Sequence, residues 1–208
     1  GNGEASGNYV LVDDVANGKS CECTCPNCGS VLVAYNNPKN KKVHHFQHLS
    51  NAECRNYYET VLHYMAKQVI EENKSLVVPE INFQLSSYSL APYERKEVKR
   101  SLVFESVIVE KNAKDIRPDL MCITNGKTLY IEIAVSHFVD EVKRNKIKAN
   151  NFPVLEIDLS GFSREVQKEQ LIKTLKEKIG NMKWIHNSKI QLRHERAEAI
   201  TKLIKTFI

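Results

Sequence analysis

No apolar stretch approaches the roughly 20 residues that a helix needs to cross a bilayer, and no signal peptide opens the chain. A soluble, cytoplasmic protein without membrane contact is therefore expected. Internal repeats and low-complexity tracts are also missing, and with eight glycines and six prolines among 208 residues the composition excludes collagen-like, coiled-coil and disordered classes. What remains is one compact domain, or a domain with a small appendage, long enough to bury a real core. The opening Gly1–Gly7 (GNGEASG) reads as a cloning remnant or a frayed end.

Acidic excess is absent too. The net charge is +5, and the two ends of the chain differ: residues 1–60 carry five Lys/Arg against six acids, whereas residues 61–208 carry 25 against 19. A basic surplus of that size is compatible with a polyanion partner and with an ordinary solvated surface.

Five of the six cysteines fall within residues 21–54. In a cytosolic setting clustered thiols point to metal before disulfides. Cys25-Pro26-Asn27-Cys28-Gly29 is a CPxCG knuckle: two thiolates three positions apart on a tight turn reach one ion, and the glycine permits the backbone conformation. His45-Phe46-Gln47-His48 and then Cys54 offer the other half. The favoured set is Cys25, Cys28, His48 and Cys54, with His45 or Cys23 as substitutes. Four protein ligands leave no open position, so the expected zinc is structural. Cys21 has no assigned role, and Cys122 reads as core.

Periodicity predicts short strands at Tyr9–Val12 and Val31–Tyr35, then a helix over Tyr57–Glu72 with Leu62, Met65, Ala66 and Val69 on one face. Strands follow at Leu76–Leu85 and Leu102–Glu110, separated by Glu94–Arg100 (ERKEVKR), read as an exposed loop. Asp119–Thr124, Asn125-Gly126 and Lys127–Val135 form a hairpin signature. Further on come a helix over Phe138–Ala149, a buried strand at Pro153–Leu159, a helix over Arg164–Ile179, a break at Asn181–Asn187, and a closing amphipathic helix over Gln191–Ile208. On that last helix Ala197, Ile200, Leu203, Ile204 and Phe207 share a face, a reasonable homo-oligomer element. The order is an α/β layout.

The hairpin allows some geometry to be drawn. If Asn125-Gly126 is a two-residue type I′ turn, Thr124 pairs with Lys127, and counting back along both strands sets Asp119 opposite Glu132. The two acids then share a face with Cβ atoms about 4.5–5.5 Å apart. Opposed like charges among apolar residues need a cation, an arginine such as Arg117, or a shared proton. A divalent cation bridging both is the simplest compensation, since Mg²⁺ takes one or two carboxylates and keeps several waters. On the helix before the sheet, Glu59, His63 and Lys67 follow at four-residue intervals, with Glu59 and His63 at the margin of the apolar stripe.

Taken together, these residues resemble a known pattern. Arg117-Pro118-Asp119 followed after a hairpin by Glu132-Ile133-Ala134 is similar to the PD-(D/E)xK nuclease motif. The wider series resembles the competence-protein CoiA-like family over roughly residues 9–160. It runs from the CPNC knuckle, HFQH and Cys54 through Glu59-Thr60-Val61-Leu62-His63 and Lys67 to Glu132-Ile133-Ala134-Val135-Ser136-His137 and Glu156-Ile157-Asp158-Leu159. The resemblance implies a restriction-endonuclease-like mixed sheet flanked by helices, with a small N-terminal zinc-binding module. It implies hydrolysis or binding of nucleic acid, DNA before RNA, with Mg²⁺ or Mn²⁺ on Asp119 and Glu132, and with Glu59 and His63 as the helix acid and histidine. The chain departs from the motif at Ala134, where the lysine belongs. Lys143 is the candidate replacement and Lys67 the second; His137 is a possible base, and Glu156 and Asp158 flank the site.

The expected organisation is a zinc module over 1–55, a nuclease-like core over 56–180 and a helical extension over 181–208. The alternatives to a nuclease are an inactive nucleic-acid-binding relative and a zinc-stabilised protein-interaction domain.

Overall fold

A computed structural model describes residues 2–5, 8–39, 44–50, 54, 57–84, 94–162 and 168–206. The protein is mixed α/β and divides into two compact units, Gly1–Gln68 with Phe162–Lys168 and Val69–Gly161 with Glu169–Ile208. The expected module boundary at residues 55–56 lies outside the described residues.

The first unit is built from two hairpins. β1 (Asn2–Ala5) pairs antiparallel with β2 (Asn8–Leu11), so part of the stretch expected to fray is a strand. β3 (Leu32–Tyr35) pairs antiparallel with β4 (His45–His48), setting Leu32 opposite His48. Two-stranded hairpins are marginal by themselves. Here they close on a small core of Val12, Cys21, Cys23, Cys25, Leu32 and Ala34, packed with Phe46 and Cys54. α1 (Tyr57–Asn73) follows, and the division between units falls within it. Leu62, Met65, Ala66 and Val69 are buried as the 3.6-residue period requires.

In the second unit β5 (Ser75–Gln84) and β6 (Glu94–Val103) form a two-stranded ladder along their whole length. The charged stretch Glu94–Arg100 is thus strand, not loop. The ladder joins main-chain groups, which side-chain charge does not interrupt, and charged strands are common at sheet edges. The strand expected over Leu102–Glu110 is broken at buried Phe104 and resumes as β7 (Ser106–Val109).

The main sheet has the order β11-β10-β9-β8-β7. β8 (Leu120–Thr124) and β9 (Lys127–Ala134) are antiparallel with Thr124 opposite Lys127. Asn125 and Gly126 both adopt positive φ, 48° and 66°, as a type I′ turn demands. β10 (Val154–Asp158) runs parallel to β9, reached through the crossover helix α2 (Glu141–Ala149). β9 and β10 are buried along most of their length, as central parallel strands are. α2 starts three residues later than expected because the Asp140 carboxylate caps it, accepting from the Lys143 amide. Its Ile147 packs with Tyr130, Val154 and Ile185.

α3 (Lys168–Glu177) buries Leu171 and Leu175; residues 164–167 of the expected helix lie outside the described residues. The expected break holds a strand, β11 (Met182–His186), pairing with β10 at the sheet edge. Met182 and Ile185 are buried, a spacing too short and irregular to stand out as strand alternation. α4 (Ser188–Thr206) ends the described chain. Its Ala197 is buried, Ile200, Leu203 and Ile204 are exposed, and Phe207 lies outside the described residues. No helix among the described residues is long and apolar enough to cross a membrane.

Candidate functional site

The thiol cluster is assembled by local turns. The Cys25 amide donates to Ser30 O at 2.8 Å and the Gly29 amide to Cys25 O at 2.8 Å, with Gly29 at φ 71°. This winds Cys25 and Cys28 around one point, and the β3–β4 register carries His48 toward it. The ligand atoms of Cys25, Cys28, His48 and Cys54 all lie within 4.8 Å of one another. A tetrahedral ion with metal–sulfur bonds of about 2.3 Å and metal–nitrogen bonds of about 2.0–2.1 Å needs edges of about 3.8 and 3.6 Å. Cys25 Sγ is 3.6 Å from Cys54 Sγ, and Cys28 Sγ is 3.4 Å from His48 Nε2. The group fits a metal ion such as zinc, and it is the set that sequence spacing favours.

The two substitutes are not in it. His45 alternates to the other side of β4 and stacks on Tyr35, with ring centroids 5.2 Å apart. Cys23 is buried and its thiol donates to Cys21 O at 3.2 Å. Burial pushes the Cys25 thiol up to about 11, while a hydrogen bond with the Ser30 hydroxyl leads in pulling exposed Cys28 down to about 6. A cation is therefore needed before Cys25 becomes a thiolate at neutral pH. Asn27, unremarked in the sequence, donates to Cys54 Sγ at 3.0 Å and accepts from the Thr60 hydroxyl at 3.0 Å, tying the cluster to α1. Outer contacts of this kind orient metal ligands.

The second unit holds the carboxylates. Asp119 stands one residue before β8, and the register places it opposite Glu132. There its Oδ2 accepts from the Ile133 amide at 2.8 Å, taking over the ladder bond where the strand ends. On the other side of Glu132, the parallel register sets Glu156 beside it. Glu156 is buried and accepts from the Val139 amide at 2.7 Å. Three carboxylates thus follow one another across adjoining strands. Asp158, further along β10, instead accepts from the Ser160 amide and hydroxyl, closing a turn.

Capping by Asp140 fixes the phase of α2 and delivers Lys143. Its Nζ lies 2.7 Å from Glu132 Oε2 and 3.2 Å from Arg117 O. Arg117 is itself paired with Glu110 at 2.6 Å. Ala134, where the resemblance expects a lysine, is buried. Despite the nearby ammonium, burial pushes the Glu132 carboxyl up to about 7, Lys143 opposing the rise and Asp119 and Glu156 adding to it. The Glu132–Lys143 distance suggests a settled ion pair, whereas the raised value indicates an under-compensated one. The two agree if desolvation exceeds what one ammonium, itself 29% exposed, returns. Glu132 Oε1 is buried with no hydrogen-bond partner among the described residues. A buried, unsatisfied carboxylate oxygen with a second acid opposite fits a divalent cation.

That balance yields a prediction with a definite sign. In protein without divalent metal, the folded state holds a proton on Glu132 between its ordinary value near 4.5 and about 7, where the unfolded chain has released it. Stability from this group is then lost as pH rises through that window, by a few kcal/mol. Denaturant titrations at pH 5 and 8 should show a smaller loss for Glu132→Gln than for the wild type; parallel losses would exclude an under-compensated Glu132.

Glu59 and His63 are half-buried and Lys67 is buried on α1 in the first unit, with Lys67 Nζ 4.1 Å from the Tyr64 ring centroid. Asp119, Glu132, Glu156 and Lys143 all belong to the second unit. His137, past the end of β9, is exposed. Comparison with protein-family models, with curated proteins and with solved structures found no match.

Proposed function

We propose that the second unit carries a metal-dependent phosphodiesterase site of the PD-(D/E)xK type acting on nucleic acid, DNA before RNA, and that the thiol cluster is a structural zinc site. The observation that carries the proposal is Lys143 Nζ at 2.7 Å from Glu132 Oε2, in a site where Asp119 and an unsatisfied Glu132 oxygen also meet. Three acids gathered across a largely buried sheet, with one lysine reaching them from α2, are costly to stability, and the cost is intelligible if they serve chemistry. The mixed sheet with its parallel β9–β10 pair and the motif order of the CoiA-like pattern support the same reading.

Asp119 and Glu132 would hold Mg²⁺ or Mn²⁺, which when bound supplies activation of water and neutralisation of charge at a phosphodiester. Lys143, fixed by Glu132 and by the Arg117 carbonyl, would stabilise the charge that develops on the phosphoryl oxygens, in place of the lysine missing at Ala134. The basic surplus beyond residue 60 would hold the backbone, giving affinity that falls steeply with salt. Glu59 and His63 enter only through the family resemblance.

Buried Ala134 favours one other reading, a nucleic-acid-binding relative without turnover. Lys143→Ala distinguishes them. If the site is catalytic, cleavage in Mn²⁺ falls by about 10²-fold or more in that variant and is retained in Lys148→Ala, a lysine exposed on the same helix. Salt-sensitive binding with no product from either protein would establish the inactive relative.

A further inference from the structure

The second unit contains a cavity of about 460 Å³, inside the range of roughly 300–1,000 Å³ usual for small-molecule sites. The β8–β9 turn borders it, five residues along each strand from Asp119 and Glu132, about 17 Å by strand rise. The ladder β5–β6, the indole of Trp184 on β11 and the first turn of α4 complete the lining.

Two features of that lining are chemically specific. The wall is apolar and includes Trp184, whose Nε1 donates to Pro79 O at 2.8 Å, so the ring is held in place before any ligand arrives. The charged residues of the lining are mostly cationic. Arg100, Lys127, Lys189 and Arg193 line the cavity against a single carboxylate, Glu80. Glu80 is shared by Arg193 at 3.4 Å and Arg100 at 3.9 Å, while Lys127 and Lys189 are exposed. An immobilised aromatic ring beside an excess of cations selects a ligand with a flat apolar part and an anionic part.

We infer that this cavity binds a nucleoside monophosphate, its base against the Trp184 wall and its phosphate among Lys127, Lys189 and Arg100. The same chemistry is presented by a free mononucleotide and by the phosphorylated end of a strand. Base stacking on an aromatic contributes about 1–3 kcal/mol per base, and the phosphate adds charge-assisted bonds that a bare nucleoside lacks. The inference rests on the cavity lining alone and stands whether or not the carboxylate site cleaves anything.

Trp184 is the one tryptophan in the chain, so its fluorescence reports on the cavity directly. Titration of the full chain with dTMP, in buffer free of Mg²⁺ and corrected for absorption by the base, should give a saturable change. Inorganic phosphate and thymidine should each bind at least about tenfold more weakly. A Lys127→Glu/Lys189→Glu double variant, altering two exposed side chains, should lose about tenfold or more in affinity while keeping its circular dichroism and melting temperature. Asp119→Ala protein should respond as the wild type does. A 5′-phosphorylated oligonucleotide binding more tightly than dTMP would assign strand ends as the source; equal or weaker binding would assign the free nucleotide. No saturable change, phosphate as effective as dTMP, or an unaltered double variant would each overturn the inference.

Discussion

Purified protein should carry about one equivalent of zinc, and removing it should unfold the first unit. The cluster beside the thiols has six buried residues among those described, of which three are cysteines. The strands around it are two separate two-stranded hairpins. Modules of this size seldom supply more than about 3–5 kcal/mol from apolar burial, whereas structural zinc contributes about 10–16 kcal/mol in finger peptides at neutral pH. Without the ion, Cys25 is a buried thiol 3.6 Å from Cys54 Sγ, and its burial favours the protonated form. Cys25→Ser and Cys54→Ser proteins should therefore lose the metal and show rapid amide exchange through β1–β4, with protection retained in β8–β10. Cys122→Ala, which alters a buried thiol of β8 outside the cluster, should keep both zinc and protection. Elemental analysis giving less than about half an equivalent would remove the zinc assignment.

The second large effect concerns the acids. Asp119→Ala and Glu132→Ala should each lower Mg²⁺- or Mn²⁺-dependent cleavage of DNA by about 10³-fold or more, since each removes several kcal/mol of transition-state charge stabilisation. Linear, nicked and single-stranded substrates should be compared, because the site geometry does not select among them. Loss of activity by misfolding is separable from loss of chemistry. Glu132 is under-compensated at neutral pH, so its removal should leave melting temperature at pH 8 unchanged or higher while activity disappears. Added Mn²⁺ should raise the melting temperature of the wild type and not of either variant. Equal cleavage by all three proteins would identify the activity as a contaminant.

Both sites were legible in the sequence to the extent that their geometry is local. A CxxC knuckle and an Asn-Gly turn each determine positions within a few residues, and the two-residue alternation of strands extends the second out to Asp119 and Glu132. The same alternation separates His48 from His45. Legibility ended where pairing partners decide. Nothing apolar marks Glu94–Arg100 as strand; it is strand because β5 offers a complete ladder. β11 was concealed in the same way, held by β10 rather than by its own pattern.

The cation beside Glu132 shows the boundary most clearly. Lys143, Arg144, Lys146 and Lys148 are close in sequence; the family resemblance made Lys143 the candidate, but composition does not rank them. The Asp140 cap sets the helix phase, the crossover sets the helix against β9, and only then does one ammonium come within 2.7 Å of the acid.

Chain order alone therefore determined the two acids' shared face and the Cys25–Cys28 knuckle, because turn and strand geometry act over a handful of bonds. Tertiary structure brought Lys143 to Glu132, left Glu132 Oε1 buried without a partner among the described residues, and gathered Trp184 with distant cations around a cavity. Those outcomes depend on how separate elements pack, and burial, which sets the electrostatic cost of each charge, exists only once they have done so.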